Sequence, residues 1–144
     1  MRKISKNFIS PILLTVLAVV FMGCPSRDVE PELTRTQLLT SSTWTFNSVI
    51  VTGTEANYIA ELLVMSLYDD TTFTFYEDGT SLRISEDQSI AGLWIMSNHE
   101  TKIIYSEEGA SLLNWNIIEL TNDLLKVSYV DATTGGIITL TFNG

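Results

Sequence analysis

The chain predicts an all-β fold: an antiparallel up-and-down meander of eight strands that closes into a barrel, with one short helix after the first strand. Three observations predict it. Apolar and polar residues alternate with a period of two from residue 43 to the end, and Gly, Asn and Asp turn signals divide the runs. All connections but one are too short for a parallel crossover. Closure is expected because a closed eight-stranded sheet leaves no unpaired edge.

The first run, residues 43–52, carries Trp44, Phe46, Val49 and Val51. Residues 55–68 (EANYIAELLVMSLY) break the alternation. Tyr58, Ile59, Leu62, Leu63 and Met65 fall near helical spacing behind Thr52 or Thr54 as an N-cap, which predicts an amphipathic helix. Residues 71–76 place Phe73 and Phe75 on one face. Glu77-Asp78-Gly79-Thr80 follows as a tight turn, because Gly after Asp supplies the positive φ. Residues 81–85 return with Leu82 and Ile84, and runs at 91–97, 101–106, 112–120, 124–131 and 136–143 complete the set. The expected inward residues are large: Phe73, Phe75, Leu82, Ile84, Trp94 or Ile95, Tyr105, Trp115, Leu125, Val127, Tyr129, Leu140 and Phe142. They predict a filled barrel with at most a small apolar pocket at one mouth, covered by the helix.

Ahead of the barrel, Arg2, Lys3 and Lys6 precede an apolar stretch of eleven residues at 12–22, the pattern of an export signal and too short to span a bilayer. Residues 1–23 form the expected signal, 24–39 a tether rich in Pro, Ser, Thr and charge, and 40–144 the barrel domain. The apolar run ends at Phe21-Met22-Gly23-Cys24, which resembles the lipobox of bacterial lipoproteins. That resemblance implies lipidation of Cys24 and cleavage before it, and two or three acyl chains anchor a protein stably where one does not. Pro25 stands where an Asp would retain an enterobacterial lipoprotein at the inner membrane, which implies an outer-membrane destination on its periplasmic or surface face. Asp28, Glu30 and Glu32 resemble the acidic segment of surface-exported Bacteroidetes lipoproteins.

Charge excludes some functions. The net charge of −9 becomes −12 once residues 1–23 are removed, since they hold three of the eight basic side chains and none of the 17 acids. Nucleic acid is excluded as a partner, because phosphate binding rests on Lys and Arg. One Cys excludes an internal disulfide, and one His with one Cys excludes the common structural zinc sets.

From residue 39 to 143 the pattern resembles the lipocalin-like domains of small secreted and lipid-anchored bacterial proteins. Leu39 to Trp44 at the first strand, Phe73-Thr74-Phe75 before Asp78-Gly79-Thr80, Gly92 to Trp94, and Glu119-Leu120-Thr121 before Leu125 carry the likeness. It implies a barrel able to hold a small apolar ligand at its mouth.

Catalysis has no support in the sequence. His99 beside Glu100 has no marked nucleophile and reads as an exposed turn His. Asp69-Asp70 with Glu77-Asp78 lack the alternation of a calcium loop and read as solvated turns. No nucleophile elbow or phosphate-binding glycine loop occurs, and no metal or other cofactor is expected. Trp44, Trp94 and Trp115 sit among apolar neighbours, as core residues do. The expected function is therefore an envelope-anchored, non-enzymatic binding lipoprotein. A carrier would hold a small apolar ligand with Tyr58, Leu62, Phe73, Phe75, Trp94 and Tyr129. The alternative is a protein-interaction or structural module with a filled barrel and an outer apolar face around Ile50, Ile104, Ile118 and Ile137.

Overall fold

The computed structural model describes residues 32–55, 57–86, 88–97 and 99–144; the signal segment and Cys24 lie outside them. Eight antiparallel strands close in sequence order: β1 (Thr43–Thr52), β2 (Thr72–Phe75), β3 (Thr80–Ser85), β4 (Gln88–Met96), β5 (Lys102–Glu107), β6 (Leu113–Leu120), β7 (Leu124–Val130) and β8 (Ile137–Asn143). Pairing of β1 with β8 completes the barrel. The predicted up-and-down architecture and the helix after β1 are both present.

A helix absent from the sequence expectation opens the domain. α1 (Arg35–Thr40) starts inside the stretch assigned to the tether, so the compact unit begins at Leu33 rather than at residue 40. Its start is a capping box: the Thr34 side chain accepts from Gln37 N–H, and the Gln37 side chain accepts from Thr34 N–H. Glu100, from the turn before β5, accepts from Arg35 N–H and from Thr36 Oγ1, while Arg35 Nη1 donates to the Glu100 carbonyl. Leu39 is fully buried, and Trp44 Nε1 donates to its carbonyl at 2.8 Å. α1 thus plugs the end at which β1 begins.

The second helix, α2 (Asn57–Tyr68), takes the place of strand beside β1, and its last turn reaches the mouth of the barrel through Leu67 and Tyr68. β2 pairs with β1 only over Thr43–Thr45, and α2 packs beside the rest of β1. Glu61 supplies the acceptor a neighbouring strand would have given, receiving Val51 N–H at 3.0 Å. Ala60, Glu61, Val64 and Tyr68, at helical spacing, form its half-buried to buried stripe. Tyr58, Ile59, Leu62, Leu63 and Met65, expected to pack, lie exposed. Thr54 takes part at the helix start by donating to Asn57 Oδ1.

The core is aromatic. Phe73 meets Trp115 and Phe142 edge to face at centroid distances of 5.4 and 5.5 Å, and Tyr105 at 5.8 Å. Phe75 packs likewise on Trp94, whose Nε1 donates to the Tyr76 carbonyl. Trp94 is therefore the inward member of its pair, and Ile95 is 62% exposed.

One strand is turned over relative to expectation. A two-residue Asp78-Gly79 loop would pair Phe75 with Leu82 and send Leu82 and Ile84 inward. The actual loop has three residues, with Tyr76 and Thr80 as the closing pair and Gly79 at φ +86°, so Phe75 faces Ser81 and Phe73 faces Arg83. Because side chains alternate with a period of two, that one-residue slip exchanges the faces of the whole strand. Ser81 and Arg83 enter the barrel; Leu82 and Ile84 go outside.

Candidate functional site

The reversed β3 has consequences on both of its faces. Inside, Arg83 would be a buried lone cation, and the barrel answers it with Glu107. Register explains the meeting: Arg83 is opposite Ile90, Gly92 is opposite both Ser81 and Glu107, and all share the interior face. Arg83 Nε and Nη2 donate to the two Glu107 carboxylate oxygens at 2.5 and 2.9 Å, a bidentate geometry, and the Tyr105 hydroxyl donates to Glu107 Oε1.

The electrostatics are those of a closed network. Burial pushes the Glu107 carboxyl up, but the bonds from Arg83 and Tyr105 outweigh it and leave it below the usual range. The bond to Glu107 raises Arg83 further. Burial raises Tyr68 and Tyr105, with neighbouring Tyr129 adding to the first and Glu107 to the second. Arg83, Glu107, Tyr105 and Tyr68 line what remains of the mouth, a cavity of about 190 Å³ bounded also by Leu67, Phe73, Ser111 and Leu113. It is smaller than the roughly 300 Å³ at the low end of small-molecule sites.

Outside, the same strand makes an apolar groove. Leu82 lies across from Ala91, and Thr80 from Leu93. Together with Tyr76, Ser106 and Glu108 they line a groove of about 630 Å³ on the β3–β4–β5 wall, within the size range of binding sites. Leu93 is 63% exposed, and Ile95 and Ile84 continue the apolar surface on β4 and β3. Gly92 lies beneath it because nothing larger fits: a Cβ there would stand 2.6 Å from the Ser106 carbonyl oxygen and 2.8 Å from Ser81 Oγ. β4 therefore approaches β5 closely at the point where the groove runs. Glu107 and Glu108 both border it, and no Lys or Arg lines it.

Of the residues expected to form a mouth site, Phe73, Phe75 and Trp94 pack on one another and Phe73 borders the mouth cavity, but the full set is not gathered around one site. Phe73, Phe75 and Trp94 are core residues, Tyr58 and Leu62 point outward from α2, and Tyr129 is half-buried on β7. The expected outer face is also dispersed. Ile50 and Ile137 lie on paired strands β1 and β8, but Ile104 is on β5 and Ile118 occupies the bulge of β6. Alternation alone does not mark Tyr76, Leu82 and Leu93 as one surface. Their signal was the loop length after β2, which decides the face of β3.

The polar candidates are structural in their contacts. His99 is exposed, and Glu100 is engaged with α1. Asp78 accepts from Thr80 N–H and Oγ1 in the hairpin, and these bonds hold its carboxyl below the usual range. No cluster of metal-ligating side chains occurs among the described residues.

No family model matches the chain, and no curated protein matches it. Among solved structures it is similar to a DUF4847 family protein from Bacteroides vulgatus, at 11% identity and a TM-score of 0.49. That similarity covers 74% of this chain and 96% of the other.

Proposed function

We propose that the chain is a lipocalin-like lipoprotein of the bacterial outer membrane, anchored through Cys24. In this reading it works without catalysis or cofactor, as an interaction module. Its contact site is the β3–β4–β5 groove, and the fitting occupant is a protein segment with apolar side chains and a basic residue. The observation that carries this reading is the reversed β3, which fills the mouth with an ion pair and opens an apolar groove on the outer wall. Residues 33–144 hold four basic side chains against 14 acids, so the domain is acidic overall, and with Glu107 and Glu108 at the groove this favours a cationic partner. A small apolar ligand at the mouth draws less support. Space there is scarce, and its polar groups are already paired.

Crosslinking in envelopes of the native host tests the proposal with three forms of the full chain. Wild type and Ile118→Glu should capture the same basic partner, and Leu93→Glu should lower the yield about tenfold, a change of about 1.4 kcal/mol in binding. Equal capture by all three forms, or a small apolar molecule retained in native mass spectra of the wild type, would count against the groove.

A further inference from the structure

α2 is apolar over most of its outward side as well as its inward one, with Ser66 the polar exception on the outward side, which is unusual for a helix on the surface of a barrel. Its one charged side chain, Glu61, is turned to Val51 N–H, so the outer face carries no charge. Tyr58 is 71% exposed and Leu63 61%, and Ile59, Leu62, Met65 and Leu67 continue the same surface. At twelve residues the helix is about 18 Å long, too short to cross a bilayer and long enough to lie along one.

We propose that this face docks the barrel side-on against a zwitterionic lipid surface; the inference rests on the anchoring reading of Cys24. Chain length permits it. The eleven residues from Cys24 to Arg35 reach at most about 36 Å, comparable to the ten-residue β1 at about 33 Å, so the tether lets any side of the barrel meet the bilayer. Anchoring also holds the domain at a high effective concentration beside the membrane, so a modest apolar contact becomes occupied. Surface chemistry then selects the side.

Charge selects the kind of lipid and disfavours a second copy. Glu55 before the helix and Asp69-Asp70 after it are exposed acids, and the described basic residues Arg35, Arg83, Lys102 and Lys126 all lie elsewhere. Two copies joined through α2 would bring these acids together, and an anionic bilayer would repel them. A zwitterionic surface meets neither penalty. The helix is also a convex ridge, which a deformable bilayer accommodates without a matching groove. With α2 beside β1 and the groove centred on β4, three strands around an eight-stranded barrel, docking leaves the groove facing away from the lipid.

The test uses the mature chain, acylated at Cys24 and reconstituted on phosphatidylcholine vesicles. An environment-sensitive fluorophore is placed on a single introduced thiol, Leu63→Cys in one preparation and Leu93→Cys in another. Docking predicts about a twofold rise in emission with a blue shift at position 63 and none at 93. It also predicts quenching at 63 by bilayer-resident quenchers, and a smaller rise when anionic lipid is mixed in. Equal emission at the two positions overturns the proposal. So does a rise at 63 that follows protein concentration without vesicles, which would mark a second copy. Intact mass separately reports acylation of Cys24. If that is absent, the anchoring reading fails on its own, and flotation of the unacylated chain decides docking: a vesicle-bound fraction several-fold above that of Leu63→Asp sustains it, and equal fractions overturn it.

Discussion

The two ends of this barrel are closed by different physics. At the end where β1 begins, α1 inserts Leu39 over Trp44, and both side chains are fully buried. At the other end Arg83, Glu107 and Tyr105 bind one another, with Tyr68 and Tyr129 beside them and about 190 Å³ between the walls. The first arrangement gains from burial and tolerates solvent changes. The second gains only while its partners are paired and correctly charged, because an ion pair removed from water offsets its desolvation through geometry. A chain can therefore hold a stable barrel at one end and a conditional one at the other.

The largest effect is expected where burial dominates. Trp44→Ala removes the indole from a fully buried site and frees the Leu39 carbonyl, and it should cost about 3–5 kcal/mol in denaturant unfolding. A cost near 1 kcal/mol would break the contrast, since it would mean that α1 is not a working plug.

A smaller effect is expected at the mouth. Arg83→Met leaves Glu107 without its cation, with only the Tyr105 hydroxyl still donating to it, and should cost about 2–3 kcal/mol, less than a fully buried pair because 20% and 15% of the two side chains remain exposed. Glu107→Gln in the same chain should recover part of that loss. The acid limb sharpens the comparison. Glu107 titrates below its ordinary value of about 4.3, so its stabilisation is present above that pH and is lost as the pH falls through its folded value. Unfolding curves of Glu107→Gln should lack this part of the acid dependence. An unchanged acid limb would show that the pair contributes nothing to folding.

The smallest effect is expected at the helix start. Thr34→Ala removes one half of the capping box and should cost about 1 kcal/mol, seen as faster amide exchange confined to α1. Faster exchange at the mouth as well would mean that the two ends are coupled.

Much of this architecture was legible because it depends on local pattern. Strand β1 and the Asp78-Gly79 hairpin follow from alternation and from the conformational needs of a turn, which short stretches of chain express. α1 was hidden by its short length and by the charged, Thr-rich composition around it, which also suits a tether. Its Thr34 and Gln37 cap pair was the available signal. The outer face of α2 was misassigned because apolar residues on both sides of a helix do not say which side packs.

By itself the sequence determined an eight-stranded antiparallel meander, the helix after β1 and an aromatic core, since each rests on periodicity and turn chemistry within a few residues. Only the tertiary structure decided which face of β3 is inside. That choice turns on one residue of loop length, and it is read out by partners far along the chain: Phe73 across the hairpin and Glu107 two strands away. Leu82 and Ile84 are good core residues, and Arg83 is a poor one until Glu107 stands beside it. Register is a collective property of paired strands, so alternation within one strand leaves its sign open. In this barrel that sign places the ion pair inside and the groove outside.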